Sequence, residues 1–84
     1  MEPITVPTPS GPAIPPERLE EAARRLARLE AMAAALAAEQ EDIPTQLARL
    51  RAEGREKTVR FRELMARKLT IASIRLELER NQLW

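Results

Sequence analysis

A chain of 84 residues has room for one small domain, and without Cys or His it lacks both disulfides and the usual zinc ligand sets. Ala, Leu, Glu and Arg dominate, and aromatic residues make up only 2% of the chain, which predicts an all-α protein stabilised by partner helices. The net charge of +1 neither demands nor excludes an anionic partner.

Residues 1–16 hold all but one of the seven prolines. Proline fixes φ and removes a backbone donor, so this stretch is expected to be a proline-rich arm, extended or disordered, and a poor strand former. Ile4, Val6 and Ile14 are its sizeable apolar residues, and they suit a docking arm that enters a partner's groove. The arm has no basic residue, which argues against a nucleic-acid tail. Met1-Glu2-Pro3 lacks a basic n-region, and no apolar h-region follows. The longest uncharged helical run, Ala31–Ala38, falls far short of the roughly 20 residues of a membrane span. The expectation is a soluble, cytoplasmic protein without a membrane partner.

From Leu19 to Leu50 apolar residues recur at alternating steps of three and four: Leu19, Ala22, Leu26, Leu29, Ala33, Leu36, Ile43, Leu47, Leu50. Only Gln40 interrupts the series. Such a heptad seam predicts a helix that buries one narrow face against another helix. Pro15 and Pro16 suit its first turn, and Glu17, Glu20 and Glu21 favour its dipole. Glu53-Gly54 is a stop, since glycine accepts the left-handed conformation that follows a helix. Pro44 falls inside this span, but the heptad phase is the same on both sides of it. One long helix over 17–53, kinked near Pro44, is therefore expected rather than a break.

Thr58 is a suitable N-cap for a second helix over 59–80. One stripe of that helix reads Phe61, Met65, Leu69, Ala72, Leu76, and a second beside it reads Leu64, Ile71, Ile74, Leu78. The apolar arc covers well over half the circumference, whereas packing on one side needs only about 100°. The second helix should thus meet two neighbours. Asn81 suits the C-cap, and Leu83 and Trp84 are expected to fold back on the apolar arc or onto a neighbouring subunit.

The expected organisation is an arm over 1–16 and a helical-hairpin domain over 17–84. At 1.5 Å per residue the first helix is roughly 55 Å long and the second about 33 Å. Folded back from Gly54, the second helix reaches about as far as Ala33. Rows of leucine are rarely left bare on soluble monomers, so a homo-oligomer with four-helix-bundle character is expected. Its interface would draw on Leu19, Ala22, Leu26, Leu29, Ala33, Leu36, Ile71, Ile74, Leu78 and Trp84.

General acid–base and thiol chemistry lack their usual residues, and no glycine-rich phosphate loop is present, so neither an enzyme nor a cofactor is expected. Glu39, Glu41 and Asp42 cluster without calcium-loop spacing and read as a solvated face. The function expected is a protein–protein interaction module that binds itself and another protein, an adaptor or a small subunit of a larger assembly. An inhibitor of another protein fits the same pattern. The alternative class is a dimeric nucleic-acid-binding regulator. Its patch would be Arg55, Lys57, Arg60, Arg62, Arg67 and Lys68, six cations against Glu56 and Glu63. The bland counterpart of that patch is a solvated face that pairs with the more acidic first helix.

Overall fold

The computed structural model describes all 84 residues. In chain order it comprises β1 (Val6–Thr8), β2 (Gly11–Ala13), a short 3-10 turn (Pro16–Arg18), α1 (Leu19–Ala52) and α2 (Val59–Arg80). With helices of 34 and 22 residues the chain is mostly helical, a long helix and a shorter one, plus a small two-stranded sheet. It divides into two compact units, Met1–Met32 and Ala33–Trp84, with α1 contributing to both.

In the first unit the proline-rich stretch is extended, one of the two states expected of it, but it is paired in an antiparallel ladder, which corrects the expectation of a poor strand former. The register is Val6 with Ala13, Pro7 with Pro12, and Thr8 with Gly11. Opposed residues in such a ladder alternate between hydrogen-bonded and non-hydrogen-bonded pairs. The two prolines face each other, so the missing N–H groups fall together at one non-bonded rung. The turn is closed by side-chain chemistry. Thr8 Oγ1 accepts from the Ser10 N–H at 3.2 Å and donates to the Gly11 carbonyl at 2.6 Å. Gly11 has φ +115°, a conformation that a Cβ would strain.

Two arginines of the helical start hold the beginning of the chain. Arg18 Nη1 donates to the Pro3 carbonyl at 3.4 Å, and Arg25 Nη1 donates to the Glu2 carbonyl at 2.7 Å. Residues 18, 22 and 25 lie on one helix face, with the small Ala22 between the two arginines. Ile4, next to the anchored carbonyls, is only 5% exposed.

In the second unit α1 continues unbroken through Pro44, and α2 runs unbroken past Thr70, whose hydroxyl donates to the Ala66 carbonyl. The core comprises Leu36, Ile43 and Leu47 of α1 with Phe61, Leu64 and Ile71 of α2, flanked by Leu50, Met65 and Ile74. The inner seam of α2 is therefore not the stripe running from Phe61 through Leu69 and Leu76. Leu69 is 65% exposed and Leu76 46%, while Ile71 is completely buried. Two cross-helix polar contacts, Arg60 to Gln46 and Arg67 to Glu39, descend along α1 as they ascend along α2, the order of a helical hairpin.

Both helices end in the same backbone motif. The Arg55 N–H donates to the Leu50 carbonyl and that of Gly54 to Arg51, with Gly54 at φ +70°. At the end of α2 the Leu83 N–H donates to Leu78 and that of Gln82 to Glu79, with Gln82 at φ +59°. Thr58 caps α2 by accepting from the Phe61 N–H, and Asn81 is its C-cap, as their side chains suggest.

Pro44 is exposed, so replacing it removes no core contact. Proline inside a helix costs about 3 kcal/mol through the lost hydrogen bond and the clash with the preceding turn. Pro44→Ala is accordingly expected to raise the thermal midpoint. A lower midpoint or a loss of helix signal would show that the hairpin depends on a proline there.

Candidate functional site

The candidate surfaces are best judged by what each side chain already touches. Of the ten residues expected at an oligomer interface, Leu36 and Ile71 lie inside the hairpin core, 4% and 0% exposed, and so are not available at the surface of a folded chain. Ile74 packs against the same core. Leu78, Ala22, Leu29 and Ala33 are half-buried. Leu19 and Leu26, one heptad apart, stand 60% and 56% exposed. The Trp84 ring lies under the Arg75 guanidinium at 5.0 Å and is held to its own chain by one face.

The six cations of the basic patch separate into two groups. Arg67 Nε donates to Glu39 Oε2 at 2.7 Å, Arg60 reaches Gln46 and Glu63, and Arg55 pairs with Glu53. Arg67 is held above the usual arginine range, chiefly by its hydrogen bond to Glu39. Lys57, Arg62 and Lys68 are exposed and make no salt bridge or side-chain hydrogen bond. In the acidic cluster on α1, Glu39 binds Arg67 and Asp42 accepts from Gln46 of the same helix, while Glu41 is exposed. Arg67 with Glu39 is the ion pair that joins the two helices.

These contacts rim a shallow groove of about 430 Å³ between the helices, with Glu39, Asp42, Arg60, Glu63 and Arg67 at its edge and Ile43 and Leu64 at its floor. Two ion pairs lie along its edge, Arg67 with Glu39 and Arg60 with Glu63, while Asp42 accepts from the neutral Gln46 amide. No group of three or more His, Cys, Asp or Glu is placed to hold a metal ion. No helix is long and apolar enough to cross a membrane.

Sequence reading missed one polar constellation. Arg75 Nη1 donates to Gln40 Oε1 at 2.9 Å, Arg75 Nε donates to Glu79 Oε1 at 2.9 Å, and the same guanidinium covers Trp84. Gln40, the one interruption of the α1 seam, is thus the partner of an arginine on α2. The signal lay in the spacing: Phe61, Leu64, Lys68, Ile71, Arg75 and Leu78 form a three-four series of their own, and Arg75 is the polar member that meets Gln40. A second such contact is Arg51 over the Phe61 ring at 5.2 Å, which covers the edge of the core nearest the loop. In the first unit Arg18 grips both oxygens of Glu21 at 3.0 Å. That hydrogen bond holds the Glu21 carboxyl below the ordinary carboxylate range, but the pair is exposed and adds little stability.

No protein-family model, no curated protein and no solved structure matches this chain.

Proposed function

We propose that the protein is a non-enzymatic interaction module: a helical hairpin that associates with further copies of itself and serves as an adaptor or a small subunit of an assembly. One observation carries this reading. Seven large apolar residues form the buried set, whereas eleven stand exposed, among them Leu19, Leu26, Leu69 and Leu76 on the two helices. Scattered apolar residues are normal on a soluble surface, but leucines recurring at heptad spacing on both helices are the mark of faces that meet other helices.

The test is the solution mass by light scattering across a wide concentration range. A dimer or larger species is expected, and a 9.5 kDa species at every concentration would refute self-association. Leu26→Glu combined with Leu29→Glu should lower that mass while retaining most of the helix signal, because neither residue belongs to the hairpin core. Unchanged mass would remove the start of α1 from the interface.

The nucleic-acid reading rests on Lys57, Arg62 and Lys68, the patch cations without ion pairs. Three free cations give a weak, salt-sensitive contact at most. Retention on a DNA or RNA column that collapses with added salt would favour it over the interaction module.

A further inference from the structure

The outer row of α2 has a symmetry that the expected stripes do not reveal. Met65, Leu69, Ala72 and Leu76 follow one another at steps of four, three and four, which keeps them on one helix face. Met65 is half-buried, Leu69 and Leu76 are 65% and 46% exposed, and Ala72 is exposed. Three residues beyond each end of the row stand Arg62 and Glu79. The spacing thus reads the same from either end, with its centre between Leu69 and Ala72; across that centre Leu69 is matched by the smaller Ala72, Met65 by Leu76, and Arg62 by the oppositely charged Glu79.

We propose that this face of α2 docks antiparallel on the same face of α2 in a second copy of the chain, about a two-fold axis between Leu69 and Ala72. The proposal rests on the self-association reading and specifies its surface. An isologous contact requires a patch complementary to itself, and here the antiparallel register supplies that at every layer. Leu69 meets the second copy's Ala72, a large residue against a small one. Met65 meets the second copy's Leu76. Arg62 meets the second copy's Glu79, twice over in the dimer. Arg62 makes no ion pair within its own chain. Glu79 binds Arg75 through Oε1, and its Oε2 takes no hydrogen bond.

The parallel alternative fails on the same residues. It would set Arg62 against Arg62 and Glu79 against Glu79, and it would stack Ala72 on Ala72, leaving a thin layer between two leucine layers. Like charges directly opposed across a helix pair disfavour that orientation. Charge therefore chooses the orientation, and residue size sets the layers.

The test is sedimentation of the full chain and four variants, with helix content followed by circular dichroism. The unmodified chain should dimerise, and Leu69→Glu with Leu76→Glu should abolish the dimer while helix content persists, since both side chains point away from the core. Arg62→Glu should weaken the dimer by about tenfold, replacing two attractive pairs by two repulsive ones. The swap R62E/E79R should restore affinity to within about threefold of the unmodified chain, because the pair is rebuilt with its signs exchanged. If the unmodified chain is monomeric throughout, the self-association reading and this interface both fall. If it dimerises but the Leu69 and Leu76 double variant dimerises as well, only this interface is overturned, and a loss of mass in L26E/L29E would place the contact on α1. An affinity untouched by Arg62→Glu, or a swap that does not rescue, would overturn the antiparallel register.

Discussion

Ile71→Ala is expected to lower the thermal midpoint of the Ala33–Trp84 unit by roughly 12–24 °C, which for a domain of this size corresponds to about 3 kcal/mol. Ile71 is the one large side chain with no exposure at all, and it lies among the six residues that form the core. Truncating it loses the transfer energy of the removed methyl groups and leaves a cavity that two helices joined by a short loop can only partly collapse. A unit of some fifty residues has only a few kcal/mol in reserve, so the variant should be substantially unfolded well below the midpoint of the parent. Leu69→Ala is the matched control: same helix, two residues away, but 65% exposed. Its effect on the isolated chain should lie within about 0.5 kcal/mol. Melts followed by circular dichroism at low protein concentration separate the two. Equal losses would mean that the inner face of α2 has been assigned to the wrong stripe.

Ile4→Asp is expected to release the start of the chain from the helix without melting the helix. Burying an isoleucine contributes about 1.5–3 kcal/mol, and placing a carboxylate there would add a desolvation cost. A two-stranded ribbon is marginal in water by itself, so β1 and β2 depend on that anchor. The ladder amides, such as Thr8 and Ala13, should exchange with solvent at rates close to those of an unfolded peptide in the variant, and residues 1–14 should become sensitive to protease. The α1 and α2 amides should keep their protection. Persistent protection of the ladder in Ile4→Asp would show that the Arg18 and Arg25 bonds to the Pro3 and Glu2 carbonyls suffice without the apolar contact. Ile4→Leu, which retains volume and apolarity, should leave both patterns nearly unchanged.

The helices were legible because their signals are local. The stop at Gly54, the cap at Thr58, the C-cap at Asn81 and the α1 seam through Ile43 and Leu47 are each written within a turn or two of sequence. Pro44 was legible for a related reason, since an unchanged heptad phase on both sides points to one helix. The face of α2 that turns inward was not legible. Its apolar arc is so wide that Phe61 belongs equally to a stripe through Leu69 and to one through Ile71, and only the partner helix decides between them. The ladder in the arm was not legible because six prolines suggest a chain without one, whereas the two that fall within the strands, Pro7 and Pro12, oppose each other at a single rung. That placement depends on register, which is a property of two segments together. Among the candidate residues, the division of the basic patch into paired Arg60 and Arg67 and free Arg62 and Lys68 likewise depends on which charges α1 brings alongside.

The contacts of Arg75 bear on how the hairpin finds its alignment. Leucine and isoleucine recurring every seven residues make the two faces nearly indifferent to sliding by a heptad, and a newly collapsed chain can reach several such offsets at similar apolar gain. Arg75 is not indifferent. A slipped pairing takes it away from Gln40 and leaves the Gln40 amide, half-buried in the native hairpin, without that partner. Desolvated amides without partners cost about 1–3 kcal/mol, enough to depopulate a competing offset by about fivefold to a hundredfold. The polar break in an otherwise oily seam thus acts on the folding landscape more than on the depth of the native well, draining the near-native traps that a uniform leucine face would keep populated.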